Sequence, residues 1–486
     1  MRKTAIALSL VLAGCAPPAW RRPAVEVPPA FREAGRDSSA RRLFAPDTGG
    51  GAVARRDPAA PARVSDGAWR ELGDTTLTRL VDQALAANLD IRAAEARLRG
   101  ARAARAGATL DLAPTVTFGG GYTRQRLSSA IFPIGASSFP DQDIWDAGFD
   151  ASWELDLFGR VRRSVQAQGA LVQLAREDLR DVQVSLVAEV ARSYFDLRGA
   201  QEQLGVAQRN ADNQRNTLEL TRQRLDAGQG TAFDTERAQA QLSLTLASIP
   251  PLEARVAAAE YQIGVLLGRP PASVATALDV PAALPAFPDS VSVVSPDSLV
   301  RHRPDVAAAE RLVAAQHALV GSAKADYLPR VTVGGTAGFT ATALDSVGSH
   351  GTFRYAVGPV ISWPLLNLGR VKAQVNAAQA REAEAEAQYS QAVLLALQDV
   401  ETSLARYHAF RARVDRIQDA ASASERAAGL ARIRFTEGVA DFLQVLDAER
   451  TLLDAQSQLS QARTDAATAY ASLYKALGGA WPGGGS

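Results

Sequence analysis

Few residues in this 486-residue chain could do chemistry, and their spacing decides what they can do. Asp146, Asp150, Glu154 and Asp156 come closest to an acid/base set. They stand at even spacing, and an extended strand puts such residues on one face. A row of carboxylates on one strand face makes a wetted, negatively charged wall, not a pair of groups converging on one substrate atom. His302, His317, His350 and His408 are scattered, without the His-x-x-x-His or carboxylate spacing of a metal site. Gly-x-Ser-x-Gly, P-loop and Rossmann patterns are absent. The residues therefore point away from an enzyme, a bound metal or a cofactor. Nothing here binds a nucleotide, so energy for any work must come from a partner.

One residue does invite covalent chemistry. Cys15 is the only cysteine, which excludes disulfides and thiolate metal sites. Arg2 and Lys3 precede a short apolar run, Thr4–Leu12, and residues 1–14 read as a signal peptide too short to span a bilayer. Leu12-Ala13-Gly14-Cys15 resembles a bacterial lipobox, in which the cysteine is acylated and becomes the mature first residue. Ala16 follows, where lipoproteins lacking Asp generally go to the outer membrane. Residues 15–65, rich in Pro, Arg, Ala and Gly, read as an acylated tether lying extended on the protein surface, and residues 479–486 as a disordered tail. The 53 basic and 52 acidic residues nearly cancel, so the chain carries no nucleic-acid-binding signature.

The elements between these ends come twice. Asp90, Glu95 and Pro114 recur 215 positions later as Asp305, Glu310 and Pro329. Trp153, Gly159, Arg160, Val161, Val165, Arg224 and Gly228 recur 210 positions later as Trp363, Gly369, Arg370, Val371, Val375, Arg434 and Gly438. A period this long marks a duplicated half-protein, with repeats at 66–280 and 281–478. Each repeat opens with a helical stretch (Thr76–Ala108; Ser298–Ala325) that ends before a proline. The hydrophobic period then changes from 3.6 to 2, giving β-hairpins over 115–157 and 330–365. Trp145, Ala147, Phe149, Ala151, Trp153 and Leu155 share one strand face; Phe353, Tyr355, Val357, Ile361 and Trp363 repeat the pattern.

Strands of about ten residues, aromatic near their ends and polar on the alternate face, match transmembrane β-barrel strands. A half-buried soluble sheet shows the same alternation. Four strands cannot close, and open edges do not exist in lipid, so a membrane-spanning barrel needs several copies: eight strands from a dimer, twelve from a trimer. After each hairpin comes a 68-residue stretch without proline, Arg160–Ala227 and Arg370–Glu437, each ending at a glycine. Each then turns and returns (Thr231–Leu267; Asp441–Leu477), forming helical hairpins over 160–267 and 370–477 with a kink or restart due at Pro250-Pro251. A helix that long runs to roughly 100 Å.

Ser152–Val165 (SWELDLFGRVRRSV), Arg303–Glu310 (RPDVAAAE), Ala323–Gly335 (AKADYLPRVTVGG) and Ile433–Glu449 (IRFTEGVADFLQVLDAE) resemble outer-membrane efflux lipoproteins of the TolC-like superfamily, over residues 66–478. The lipobox favours the branch serving resistance-nodulation-division pumps. The resemblance implies a mixed α/β membrane protein: a homotrimer with a twelve-stranded outer-membrane barrel, four strands per protomer, continued by a long periplasmic α-helical barrel. It implies a passive exit duct working with a periplasmic adaptor and an inner-membrane transporter. By the same resemblance, Leu443 and Asp447 form the periplasmic gate, an apolar constriction and a ring of like charge. The turns Gly228-Gln229-Gly230-Thr231 and Gly438-Val439-Ala440-Asp441 are the tips that meet the adaptor. Phe233 and Arg237 stand at the gate positions of the first repeat, so a gate would differ between the halves. On residues alone Leu443 also fits a hairpin core and Asp447 a solvated face. Two other readings are a type I protein-secretion channel, and a lipid-anchored coiled-coil scaffold with no pore.

Overall fold

The structure is a computed structural model, and its description covers residues 20, 22–35, 69–70, 72–126, 140–288, 291, 293 and 295–479. The signal peptide, Cys15, most of the tether, the tip of the first β-hairpin and nearly all of the tail lie outside these residues. The chain divides into two compact units, one built on residues 96–176 and 308–390 with the described part of 1–24, the other on 25–95, 177–307 and 391–486.

The first unit carries the sheet. β1 (Thr115–Gln125), β2 (Gln142–Leu155), β3 (Arg330–Ala341) and β4 (Phe353–Ser362) lie side by side in chain order, every pair antiparallel. The register places Phe118 opposite Phe149, Phe149 opposite Ala337 and Ala337 opposite Tyr355, so the apolar positions of all four strands share one face. Aromatic cross-strand pairs reinforce that register: Tyr122 and Trp145 sit 4.5 Å apart, Phe118 and Phe149 5.3 Å. Two tryptophans pin the hairpins to the turns before them. Trp153 donates its indole N–H to the carbonyl of Leu112 at 2.9 Å, and Trp363, 210 positions on, donates to Tyr327 at 3.0 Å.

The duplication weakens at the strand-to-helix junction. Gly159 has φ +80° and leads into α3 (Arg160–Asp226). Its counterpart Gly369 already lies within α7 (Leu368–Thr436). Elsewhere in this unit, Arg22 of the tether bonds the Tyr389 hydroxyl (2.9 Å) and Glu310 (3.0 Å).

The second unit packs helices around aromatic side chains. Trp69, fully buried, touches Phe195, Tyr470 and Tyr474. The opening helical stretches are broken where the sequence reads them as continuous. α1 (Thr75–Ala87) ends at Asn88, whose side-chain oxygen caps α2 (Leu89–Leu110) by accepting from the N–H groups of Asp90 and Ile91. In the second repeat α5 (Pro296–His302) ends at Arg303, because Pro304 disfavours helical geometry in the residue before it and opens α6 (Pro304–Ala325). Of the kink or restart expected at Pro250-Pro251, the restart does not occur: the return helix α4 (Ala232–Leu266) runs through both prolines. α8 (Phe442–Ala476) is its counterpart. The tether also differs from a segment merely lying on the surface. Phe31 and Ala34 are buried, and the main-chain N–H groups of Arg32 and Glu33 donate to the two oxygens of Glu401. Among the described residues no helix is long and apolar enough to cross a membrane.

Candidate functional site

The hairpin turns follow from their capping residues. Gly228 (φ +70°) donates to the carbonyl of Leu225 and Gln229 to that of Arg224, closing α3 with a left-handed residue that glycine adopts without strain. Gly438 (φ +76°) and Val439 make the same two bonds to Phe435 and Arg434 at the end of α7. Thr231 and Asp441 then cap the return helices by accepting from the N–H groups of Asp234 and Gln444. Gly228, Gln229, Thr231, Gly438, Val439 and Asp441 are exposed, while Gly230 and Ala440 are half-buried. Both turns therefore present main chain and uncharged side chains, with Asp441 the one carboxylate, to solvent.

Beside the second turn, α8 has two distinct faces. Phe442, Val445 and Glu449 are buried, Phe442 and Val445 in a cluster with Phe435, Leu218 and Leu242. Leu443 is 50% exposed and Asp447, one turn on, is exposed with no side-chain partner among the described residues. Leu443 is thus no part of the hairpin core. A solvated leucine one turn from an unpaired carboxylate can seal against an apolar surface and attract a cation. In the first repeat Phe233 is exposed as well, with the Arg237 guanidinium 5.0 Å from its ring centroid. The corresponding positions present an aromatic–cation pair there, so the asymmetry visible in sequence is real in space.

Several residues around the turns escape the sequence reading. Arg224 reaches the end of the other long helix, donating to the carbonyls of Phe435 and Thr436 while its guanidinium lies 4.2 Å from the Phe435 ring centroid. A positive charge at a helix C-terminus satisfies orphan carbonyls and complements the helix dipole. A polar seam lies between α3 and α8. Glu449, 3% exposed, accepts from the Thr217 hydroxyl at 2.9 Å and from Arg432 at 2.8 Å, and Asn210 donates to Gln456. Gln214, equally buried, has neither side-chain atom bonded among the described residues. The signal was there: Asn210, Gln214, Thr217 and Thr221 recur at helical spacing, polar types where a core stripe belongs.

The sheet supplies a second surface. Its apolar face is uncovered: Phe118 is 67% exposed, Tyr355 74% and Ile361 69%. A soluble sheet would bury that face against another layer. The opposite face carries Asp146, Thr340 and Arg354, joined by hydrogen bonds, beside Gly119, Gly148 and Gly338. The outer edges of β1 and β4 have no strand beside them among the described residues. The carboxylate row needs correction at one end. Glu154 pairs with Arg160 at 2.6 Å, and Asp156, beyond the last residue of β2, accepts from the N–H groups of Val161 and Arg162. These two fix the start of α3. The bond to Glu154 raises the Arg160 pKa, outweighing the burial that disfavours its charged form. Asp146 is likewise paired, with Arg354, so Asp150 alone of the row keeps a carboxylate without a side-chain partner among the described residues.

An exposed aromatic sheet face, two unpaired edges and two long helical hairpins coincide with a known architecture. A family model described as outer membrane efflux protein matches residues 80–269 and 296–479. The chain belongs to the outer membrane efflux protein family. It is 30% identical over 411 residues to the probable efflux pump outer membrane protein SepC of Pseudomonas putida, covering 84% of each chain. It is 28% identical over 415 residues to nodulation protein T of Rhizobium leguminosarum bv. trifolii, covering 84% of this chain and 87% of that one. The outer-membrane channel OprN superposes with a TM-score of 0.84 at 36% identity, covering 96% of this chain and 99% of OprN. The fold is that of the TolC-like channels, and the outer membrane is where such efflux proteins reside.

Proposed function

We propose that the chain is the exit duct of a tripartite efflux pump, conducting small molecules passively from an inner-membrane transporter and a periplasmic adaptor to the exterior. The observation that carries this reading is the uncovered aromatic sheet face bounded by two unpaired strand edges. Lipid covers such a face, and only further copies pair such edges. Three copies give twelve strands. Acylation of Cys15 anchors the chain in the outer membrane without deciding its topology. Leu443 and Asp447 form the periplasmic gate, and the turns 228–231 and 438–441 meet the adaptor; the exposure of both sets supports these roles. The inner-membrane partner is a transporter of the resistance-nodulation-division type. The duct performs no covalent chemistry and needs no cofactor beyond its lipid.

The test is accumulation of a fluorescent efflux dye in wild type, a clean deletion and a complemented deletion of the native host, in a background without redundant ducts. Low accumulation restored by the gene supports the duct. Unchanged accumulation together with loss of a secreted protein would replace it with the type I secretion reading.

A further inference from the structure

β1 and β4 are the outer strands of the sheet, and neither has a neighbour on its far side among the described residues. The duplication says how a second copy fills that gap. Moving β1 by 215 positions gives β3, and moving β2 by 210 gives β4. The two hairpins obey this mapping pair for pair. Val116 faces Ala151 and Val331 faces Ile361; Gly119 faces Gly148 and Gly334 faces Gly358; Tyr122 faces Trp145 and Ala337 faces Tyr355. The two tryptophan bonds obey it too, since their acceptors Leu112 and Tyr327 stand 215 positions apart.

One pairing in the sheet joins the two repeats. β2 lies on β3 with Ala147 opposite Phe339, Gly148 opposite Gly338, Asp150 opposite Thr336 and Trp153 opposite Val333. Under the same mapping β2 becomes β4, and β3 becomes β1. Those are the two edges of the sheet, and four strands cannot close on themselves, so the mapped pairing joins two chains.

We propose that β4 of one copy pairs antiparallel with β1 of the next in the register that β2 keeps with β3, placing Val357 opposite Arg124, Gly358 opposite Thr123, Val360 opposite Gly121 and Trp363 opposite Phe118. This rests on the barrel of several copies proposed above, and adds the register at which the copies meet. Every face is kept. Tyr355, Val357 and Ile361 of β4 stay on the uncovered apolar side with Phe118 and Tyr122 of β1. A slip of one residue sends one strand's apolar set to the other side. A slip of two keeps the faces but departs from the repeat, and it separates Trp363 from Phe118, an aromatic cross-strand pair in the mapped register. Pro359 has no N–H, which costs this ladder at most one bond.

Cys15 is the chain's only cysteine, so introduced pairs report the register through disulfide cross-linking. The full-length protein is oxidised in outer membranes with copper phenanthroline and air, and the parent chain is the control. Val360→Cys is combined with Gly121→Cys, and separately with Gly119→Cys or Thr123→Cys, which stand for slips of two residues either way. A Cβ on Gly119 or Gly121 meets nothing closer than 4.0 Å. Opposite residues have Cβ atoms about 5 Å apart and diagonal ones about 7 Å, beyond disulfide reach. Val360→Cys with Gly121→Cys should link chains about fivefold faster than either slipped combination. Gly358→Cys with Thr123→Cys, against Gly358→Cys with Gly121→Cys, repeats the comparison at an independent site where a first variant fails to insert. Faster linking in a slipped combination would overturn the register and leave the barrel of several copies standing. No linking in any combination, with the protein present in the outer membrane, would overturn both.

Discussion

Asn88 donates its side-chain N–H to the main-chain carbonyl of Leu266 at 2.9 Å. The counterpart of Asn88 in the second repeat is Arg303, and that of Leu266 is Ala476; Arg303 donates to the Ala476 carbonyl at 3.0 Å. The same bond therefore survives in both halves with different side chains. In each case it joins the break between two opening helices to the end of the return helix. Gly268 and Gly478, both at φ +67°, complete the junction. A Cβ on Gly268 would lie 2.5 Å from the Ala87 carbonyl oxygen, and one on Gly478 2.8 Å from the Arg303 side chain.

Arg303→Ala should destabilise more than Asn88→Ala. Arg303 also pairs with Asp305 and Asp399, at 2.8 and 2.9 Å, and donates to the Ala396 carbonyl. Loss of the Asn88 cap should cost about 1–2 kcal/mol. Loss of Arg303, whose partner Asp399 is half-exposed and therefore screened, should cost roughly 2–3 kcal/mol. Denaturant unfolding of the two variants orders them, and a larger loss at Asn88 contradicts this account.

Arg224→Ala should loosen the end of α7, because Phe435 and Thr436 lose the donor to their carbonyls. The expected cost is about 1 kcal/mol, confined to the hairpin turns. Hydrogen exchange of the last turn of α7 should speed up roughly fivefold while the sheet is unaffected. Unchanged exchange there would remove Arg224 from the turn.

Asp447→Ala should raise single-channel conductance and abolish its inhibition by divalent cations, because a ring of three carboxylates would disappear from the proposed gate. Planar-bilayer recordings with and without calcium read this directly. Identical traces from wild type and variant would sink the gate assignment.

Stability should fall between about pH 10 and 12, and Tyr194 is one reason. Burial, then its hydrogen bond to Asp74, push its phenol up to about 12. The unfolded phenol ionises near 10, so its contribution is full below that value and is lost as pH rises through the folded pKa. Tyr194→Phe should flatten the unfolding midpoint across that window, whatever it costs at neutral pH. An unchanged slope would show that other groups set it.

Cys15→Ser should remove the mass of the proposed lipid and leave the chain inserted in the outer membrane, since a lipid chain anchors without spanning. Mass spectrometry and membrane fractionation check both halves of that statement. Loss of the protein from the outer membrane would show that the lipid is needed for targeting.

Sequence was most informative where one physical rule acts over many residues. Two proline-free stretches ending in glycine give α3 and α7, and an unbroken period of two gives β2. It was least informative where a single residue overrides its surroundings. Asn88 breaks a helical pattern by offering its own cap, whereas Pro250 and Pro251 leave α4 continuous despite removing two donors. The exposure of Leu443 depends on which side of α8 meets Phe435 and Leu218, a long-range fact that local periodicity does not contain. The Gly268–Gly478 pair, by contrast, stands 210 positions apart and could have been found from the repeat alone.

Among the described residues the sheet has two bare edges, and four strands cannot close on themselves. β1 and β4 each offer a row of unpaired main-chain groups, and a lone protomer entering lipid would carry both rows unsatisfied. Insertion must therefore wait for encounter between copies, so barrel formation is a high-order reaction in protomer concentration, steeply slowed by dilution. The helical hairpins, whose main-chain bonds are internal, have no such requirement. Biogenesis then has a built-in sequence: helices first, membrane last.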